Sequence, residues 1–118
     1  MLNIQLSKPD GSHGNWIRFP ASSAQIKSVF ATLADEEHPV LLVTAAETSV
    51  DHMHRFLVGK YVDQNRGIRD MDFLARRMEG FTEQEKDIFS AALEIEQPYT
   101  IMEMANLSCN LDKFSLYP

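Results

Sequence analysis

A single thiol, Cys109, is all the sulfhydryl chemistry that the 118 residues hold. It excludes an internal disulfide and the stapled scaffold of a small secreted domain, and it suits a reducing, cytoplasmic compartment. Long apolar runs are missing as well. No window approaches the ~18–20 consecutive apolar residues of a membrane helix. The first seven residues, MLNIQLS, lack both the basic start and the apolar stretch of a secretory leader. The five glycines, at 11, 14, 59, 67 and 80, match neither a phosphate-binding loop nor a dinucleotide fingerprint. No Gly-x-Ser-x-Gly elbow, internal repeat or low-complexity tract occurs. Nothing in these patterns supports an enzyme, so the chain is expected to be non-enzymatic and to carry no cofactor.

What remains is ordinary globular composition, 44% apolar and 24% charged. A chain of this length forms one compact domain, or two subdomains sharing a core, and buries about two thirds of its unfolded surface. The net charge of −6 is unevenly placed. Residues 1–78 carry nine acids and nine bases and sum to zero. Residues 79–103 carry Glu79, Glu83, Glu85, Asp87, Glu94, Glu96 and Glu103 against Lys86 alone. Asp112 and Lys113 cancel in the remainder. The whole excess therefore lies in one stretch with helical periodicity, which reads either as a well-solvated helix with acids favoured near its N-terminus or as a surface that repels phosphate backbones and attracts a basic partner.

The first half reads as mixed α and β. Leu2 to Leu6 alternates apolar and polar, Lys8-Pro9-Asp10-Gly11 supplies a turn, and Trp16-Ile17-Arg18-Phe19 is a second strand ended by Pro20. Ser22 and Gln25 have capping-box spacing ahead of Ile26, Val29, Phe30 and Leu33, which predicts a helix over 22–34. The run Val40-Leu41-Leu42-Val43-Thr44 reads as a strand buried on both faces. Phe56 to Val62 is compatible with a strand holding a Gly bulge or with a short helix leading into a strand. The polar loop Asp63-Gln64-Asn65-Arg66-Gly67 is the best subdomain boundary.

From Asp70 the period becomes 3.6. Asp70 is placed to cap a helix with the stripe Met71, Leu74, Ala75 and Met78, and Gly80 to end it in a left-handed conformation. Thr82 with Glu85 forms a second capping box before Ile88, Phe89, Ala92 and Leu93. After Pro98, Thr100 with Glu103 forms a third before Ile101, Met104 and Ala105. The tail, 110–118, alternates like an extended segment.

Three groups of residues invite chemistry. His52 and His54 share a face only if their segment is extended, and no third or fourth ligand lies at a recognised zinc spacing, so surface histidines are expected. Cys109, near the end of the last helix, is at the wrong terminus for a stabilised thiolate and is expected to be packed and inert. Lys60, Arg66, Arg69, Arg76 and Arg77, with Tyr61 and Phe73, form a basic cluster, but Asp63, Asp70 and Asp72 interleave with it. Solvation of the Met71–Met78 helix is the expected role, without direct nucleic-acid binding.

The second half resembles the antirestriction proteins of the ArdA type. The resemblance rests on Asp70-Met71-Asp72-Phe73-Leu74-Ala75, on Glu85 with Phe89 and Ala91-Ala92, on Met104-Ala105-Asn106-Leu107 and on Asn110-Leu111-Asp112-Lys113-Phe114. It covers residues 70–118 well and the first half more loosely, through the early strand and Trp16-Ile17-Arg18-Phe19-Pro20. Family members imitate the shape and charge of bent B-form DNA and occupy the DNA-binding groove of type I restriction-modification enzymes. They carry a further C-terminal domain, with more acids and a dimer contact, which would begin where this chain ends.

The resemblance thus implies a cytoplasmic, mobile-element protein whose partner is a restriction-modification enzyme, with neither nucleic acid nor membrane bound directly. A homodimer is compatible with it. Glu79, Glu83, Glu85, Asp87, Glu94, Glu96 and Glu103 would carry the mimicry. The expected architecture is α+β: a small sheet with one helix over 1–62, packed against a helical subdomain over 68–118. The competing expectation is a protein-interaction module that keeps this fold without antirestriction activity.

Overall fold

The computed structural model describes residues 2–35, 37 and 39–111. The fold is α+β, as the two periodicities imply. β1 (Leu2–Ser7) and β2 (Asn15–Phe19) form the expected hairpin, paired antiparallel from Leu2↔Phe19 to Leu6↔Asn15. Its loop turns at Gly11, where a φ of 87° requires a residue without Cβ. β3 (Val40–Thr48) pairs with the other edge of β1, and β4 (Tyr61–Asp63) completes an antiparallel sheet in the order β2-β1-β3-β4.

β3 differs from the strand expected at 40–44. It runs to Thr48, and Leu41 and Val43 are buried while Val40, Leu42 and Thr44 are only half-buried. The helices pack on one face of the sheet and leave Trp16, Arg18 and Tyr61 exposed on the other. A central strand in such a sheet has one dry face, not two. The other face is polar at its middle: Ser7 and Thr44 share a hydroxyl contact of 2.8 Å, and the Thr44 hydroxyl donates to Gln5 Oε1 at 3.1 Å. A register shift between Gln5 and Leu6 places Thr44 as the extra residue of a bulge.

α1 (Ser23–Leu33) opens with the predicted box, Ser22 Oγ accepting from the Gln25 amide and Gln25 Oε1 from the Ser22 amide. Between β3 and β4 the chain takes the second of its two expected forms, a short helix α2 (His54–Leu57) before the strand. The turn closes through the Val58 amide on the His54 carbonyl, and Met53 and Leu57, one turn apart, are both fully buried.

α3 (Gly67–Glu79) starts three residues before the expected cap. Asp63, not Asp70, is the residue that caps it: Asp63 Oδ1 accepts the Gly67 amide at 2.6 Å and Oδ2 the Arg66 amide at 3.3 Å. The carboxylate reaches over because the connection from β4 is tight. A Cβ on Gly67 would stand 3.1 Å from the Val62 Cα. Gly80 ends the helix at φ −87°, right-handed, so its lack of a side chain is not used for a left-handed cap. That conformation falls instead on Gln97, at φ 50°, after α4 (Glu83–Glu96).

The Thr82–Glu85 box is complete. Ahead of α5 (Ile101–Ser108) the third box is half made: Thr100 Oγ1 accepts the Glu103 amide, but the Glu103 carboxylate takes the Tyr99 amide at 2.7 Å, one residue upstream of the box position.

One contiguous core joins both halves of the chain, from Leu2, Ile4 and Phe19 through Leu41 and Val62 to Met71, Leu74, Phe89 and Met104. Phe81 meets Phe89 edge-on with centroids 5.6 Å apart. Cys109 is exposed, contrary to the packed position expected. The buried stripe of α5 is Ile101, Met104, Ala105 and Ser108, and residue 109 is rotated off it by about 100°. Of the expected extended tail, Asn110 and the buried Leu111 are not in a strand, and 112–118 lie outside the described residues. No helix among the described residues is long and apolar enough to cross a membrane.

Candidate functional site

The acids of 79–103 are built by three helices, and their surroundings sort them. Glu79 ends α3 and is exposed. On α4 the core takes Phe89, Ala92 and Leu93, so the opposite side faces water. At about 100° per residue, Glu83, Asp87 and Glu94 fall within about 40° of one another on that outer side. All three are exposed. The one base of the stretch, Lys86, is beside Glu83, with Nζ 3.1 Å from Oε1.

The other acids do not extend this stripe. Glu85 Oε1 is occupied by the Thr82 amide at 3.0 Å, and Glu103 by the Tyr99 amide. Glu96 lies on the far side of α4 and shares a shallow cleft with Glu103, Asn106 and Asn110. The seven residues therefore make a three-acid stripe, a separate Glu96–Glu103 pair, a capping acid at 85 and a lone Glu79. Periodicity alone places the stripe; which carboxylates are consumed as caps is fixed by the helix starts.

The basic cluster at 60–77 divides in the same way. Arg77 Nη2 donates to the Ser108 carbonyl at 2.9 Å and ties α3 to the end of α5. Lys60 and Arg66 line a cleft of ≈ 640 Å³ with Tyr61, Tyr99 and Met102, where the Lys60 ammonium stands 4.9 Å from the centre of the Tyr99 ring. Asp63 and Asp70 belong to this cleft and respond oppositely to it. The Gly67 amide holds the Asp63 carboxyl below its usual range. Burial pushes that of Asp70 up, against the pull of Arg66.

Arg69 and Arg76 line a different cleft, also of ≈ 640 Å³, between α1 and α3. There Asp72 Oδ2 accepts from Arg76 Nε at 2.8 Å, and its Oδ1 accepts the Ala21 amide at 2.9 Å. That contact raises the Arg76 pKa further. Lys27 of α1 joins this cleft from the opposite wall. Sequence reading missed Lys27 because no local pattern links it to residues more than forty positions away.

No family model matches the sequence, and no curated protein or solved structure matches the chain.

The histidines form no ligand pair. His52 is left-handed at φ 65° with Nδ1 2.8 Å from Arg55 Nη2, and His54 opens α2, so the extended geometry that would align them is not adopted. Among the described residues, no three His, Cys, Asp or Glu side chains gather as a metal site.

Proposed function

We propose that the protein is a non-enzymatic, ArdA-like antirestriction factor that occupies the DNA-binding groove of type I restriction-modification enzymes as a polyanionic decoy. The observation that carries this reading is the outer stripe of α4. Glu83, Asp87 and Glu94 repeat at intervals of about 6 and 10.5 Å along the axis. The mean spacing is about 8 Å, against 3.4 Å between phosphates on one DNA strand, so the stripe stands in for a thinned phosphate row. A cationic groove attracts such a row, and salt weakens the attraction.

The test is plating of unmodified phage on a host with an active type I system, with and without the protein. Restored plating is expected from the native chain and is lost in the triple variant Glu83→Lys, Asp87→Lys, Glu94→Lys. Glu85 is left intact because its reversal would break the Thr82 cap and confound folding with function. Unrelieved restriction across several type I systems, with soluble protein confirmed, sinks the proposal.

A second reading rests on a separate observation. Ile95 (70% exposed), Tyr99 (81%) and Met102 (52%) stand in water around the α4–α5 turn, an apolar grouping that a fold gains nothing by exposing. It suits an interaction module whose binding survives the acid reversals and moderate salt. Tyr99→Ala would then abolish partner capture while the triple reversal leaves it unchanged.

A further inference from the structure

The α1–α3 cleft carries a signature opposite to that of the protein as a whole. α3 shows two stripes. Met71, Leu74, Ala75 and Met78 face the core, while Arg69, Asp72, Phe73 and Arg76, at positions i, i+3, i+4 and i+7, line the cleft. Lys27 closes it from α1. The cleft thus holds three cations against one carboxylate, a local charge of +2 on a chain whose net charge is −6. Lys27 and Arg69 take no ion pair among the described residues. Arg76 is pinned through Nε to Asp72, itself anchored on the Ala21 amide, and its remaining guanidinium donors stay available.

Phe73 is the odd member of this set. Its ring, 46% exposed at the centre of a charged outer stripe, lines the cleft and keeps part of its surface open to a ligand. With cations one turn to either side, it offers what an aromatic phosphate ester requires: a stacking surface flanked by phosphate donors. Gln64 and Asn65, on the same rim, present amides that both donate and accept, as a base edge needs. The volume, ≈ 640 Å³, is far larger than an inorganic anion requires and lies in the range of small-molecule sites.

We infer that the α1–α3 cleft is a nucleotide site, with the phosphates held by Lys27, Arg69 and Arg76 and the base stacked on Phe73. A free nucleotide is the occupant, and not a strand of nucleic acid, because a long polyanion must also meet the field of a chain with six excess negative charges. The site is independent of the decoy reading, since none of its residues belongs to the acidic stretch.

Amide-resolved NMR of the full chain, titrated with ADP, with inorganic phosphate and with oligothymidylate, tests it. ADP up to about 10 mM is expected to shift Ser22, Ser23, Lys27, Asn65, Arg69 and Phe73, and phosphate the subset near the cations. Arg69→Glu should weaken both ligands about tenfold or more. Phe73→Ala should weaken ADP about fivefold or more and leave phosphate unchanged, a split that a purely electrostatic patch does not give. Both residues are on the exposed side of α3 and neither belongs to the buried core, so the variants fold. Absent shifts, shifts centred elsewhere, or equal loss of ADP and phosphate in Phe73→Ala overturn the assignment. Tighter binding of oligothymidylate than of ADP at these amides overturns the free-nucleotide occupant.

Discussion

Two aspartates, seven residues apart, make opposite demands on the same end of α3. Asp63 accepts two amides at the helix start, and the Gly67 bond keeps its carboxyl ionised to lower pH than in the unfolded chain. Its contribution is therefore present above the ordinary carboxylate pKa of about 3.9 and is lost as pH falls through the lower folded value. Asp63→Ala should cost about 1 kcal/mol near neutral pH, as a lost cap does, and the gap to the native chain should close in acid. Asp70 runs the other way, because burial favours its protonated form. Asp70→Asn should be more stable than the native chain at neutral pH, with the advantage fading below about pH 4. Urea titrations of the three proteins across that range check both signs.

At the scale of the element, helix ends matter more than helix middles. The complete box at Thr82 satisfies two amides at once, so Thr82→Ala should cost about 1 kcal/mol and lower the melting temperature. The other end of α4 holds the opposite opportunity. Gln97 adopts the left-handed conformation at φ 50° that a glycine takes without steric cost, and its side chain only folds back onto the Glu94 carbonyl. Gln97→Gly should stabilise the chain by about 0.5 kcal/mol, read as a rise in the denaturation midpoint, since C-terminal left-handed positions favour glycine. A fall would mean that the Glu94 contact outweighs the backbone strain.

Across the whole molecule, the sheet and the helices share one core, with Val62 of β4 and Ile68 of α3 in the same cluster. Neither half closes a dry interior alone. Fluorescence of Trp16, the single tryptophan, placed on β2, and far-UV circular dichroism dominated by α3–α5 should therefore trace one coincident denaturation curve. Two separated transitions would show that residues 1–62 and 68–118 fold as independent units.

Elements whose signals are local are legible along the chain alone. Ser22 with Gln25 and Thr82 with Glu85 fixed two helix starts to the residue, alternation fixed the hairpin, and the 3.6 period fixed every buried residue expected on α3. It also gathered the seven acids of 79–103 into one helical stretch, whereas the sharing of an outer stripe by Glu83, Asp87 and Glu94 alone emerged with the bounds and buried face of α4. Tertiary structure decided what depends on residues brought together from afar. Whether β3 is dry on two faces depends on which faces the helices cover. Which aspartate caps α3 depends on how tightly β4 turns into it. Glu85 and Glu103 are held as helix-start acceptors, off the outer stripe, because nearby amides bond to them. The meeting of Lys27 with Arg69, Phe73 and Arg76 around one cleft depends on where the fold sets α1 relative to α3, which no window along the chain contains.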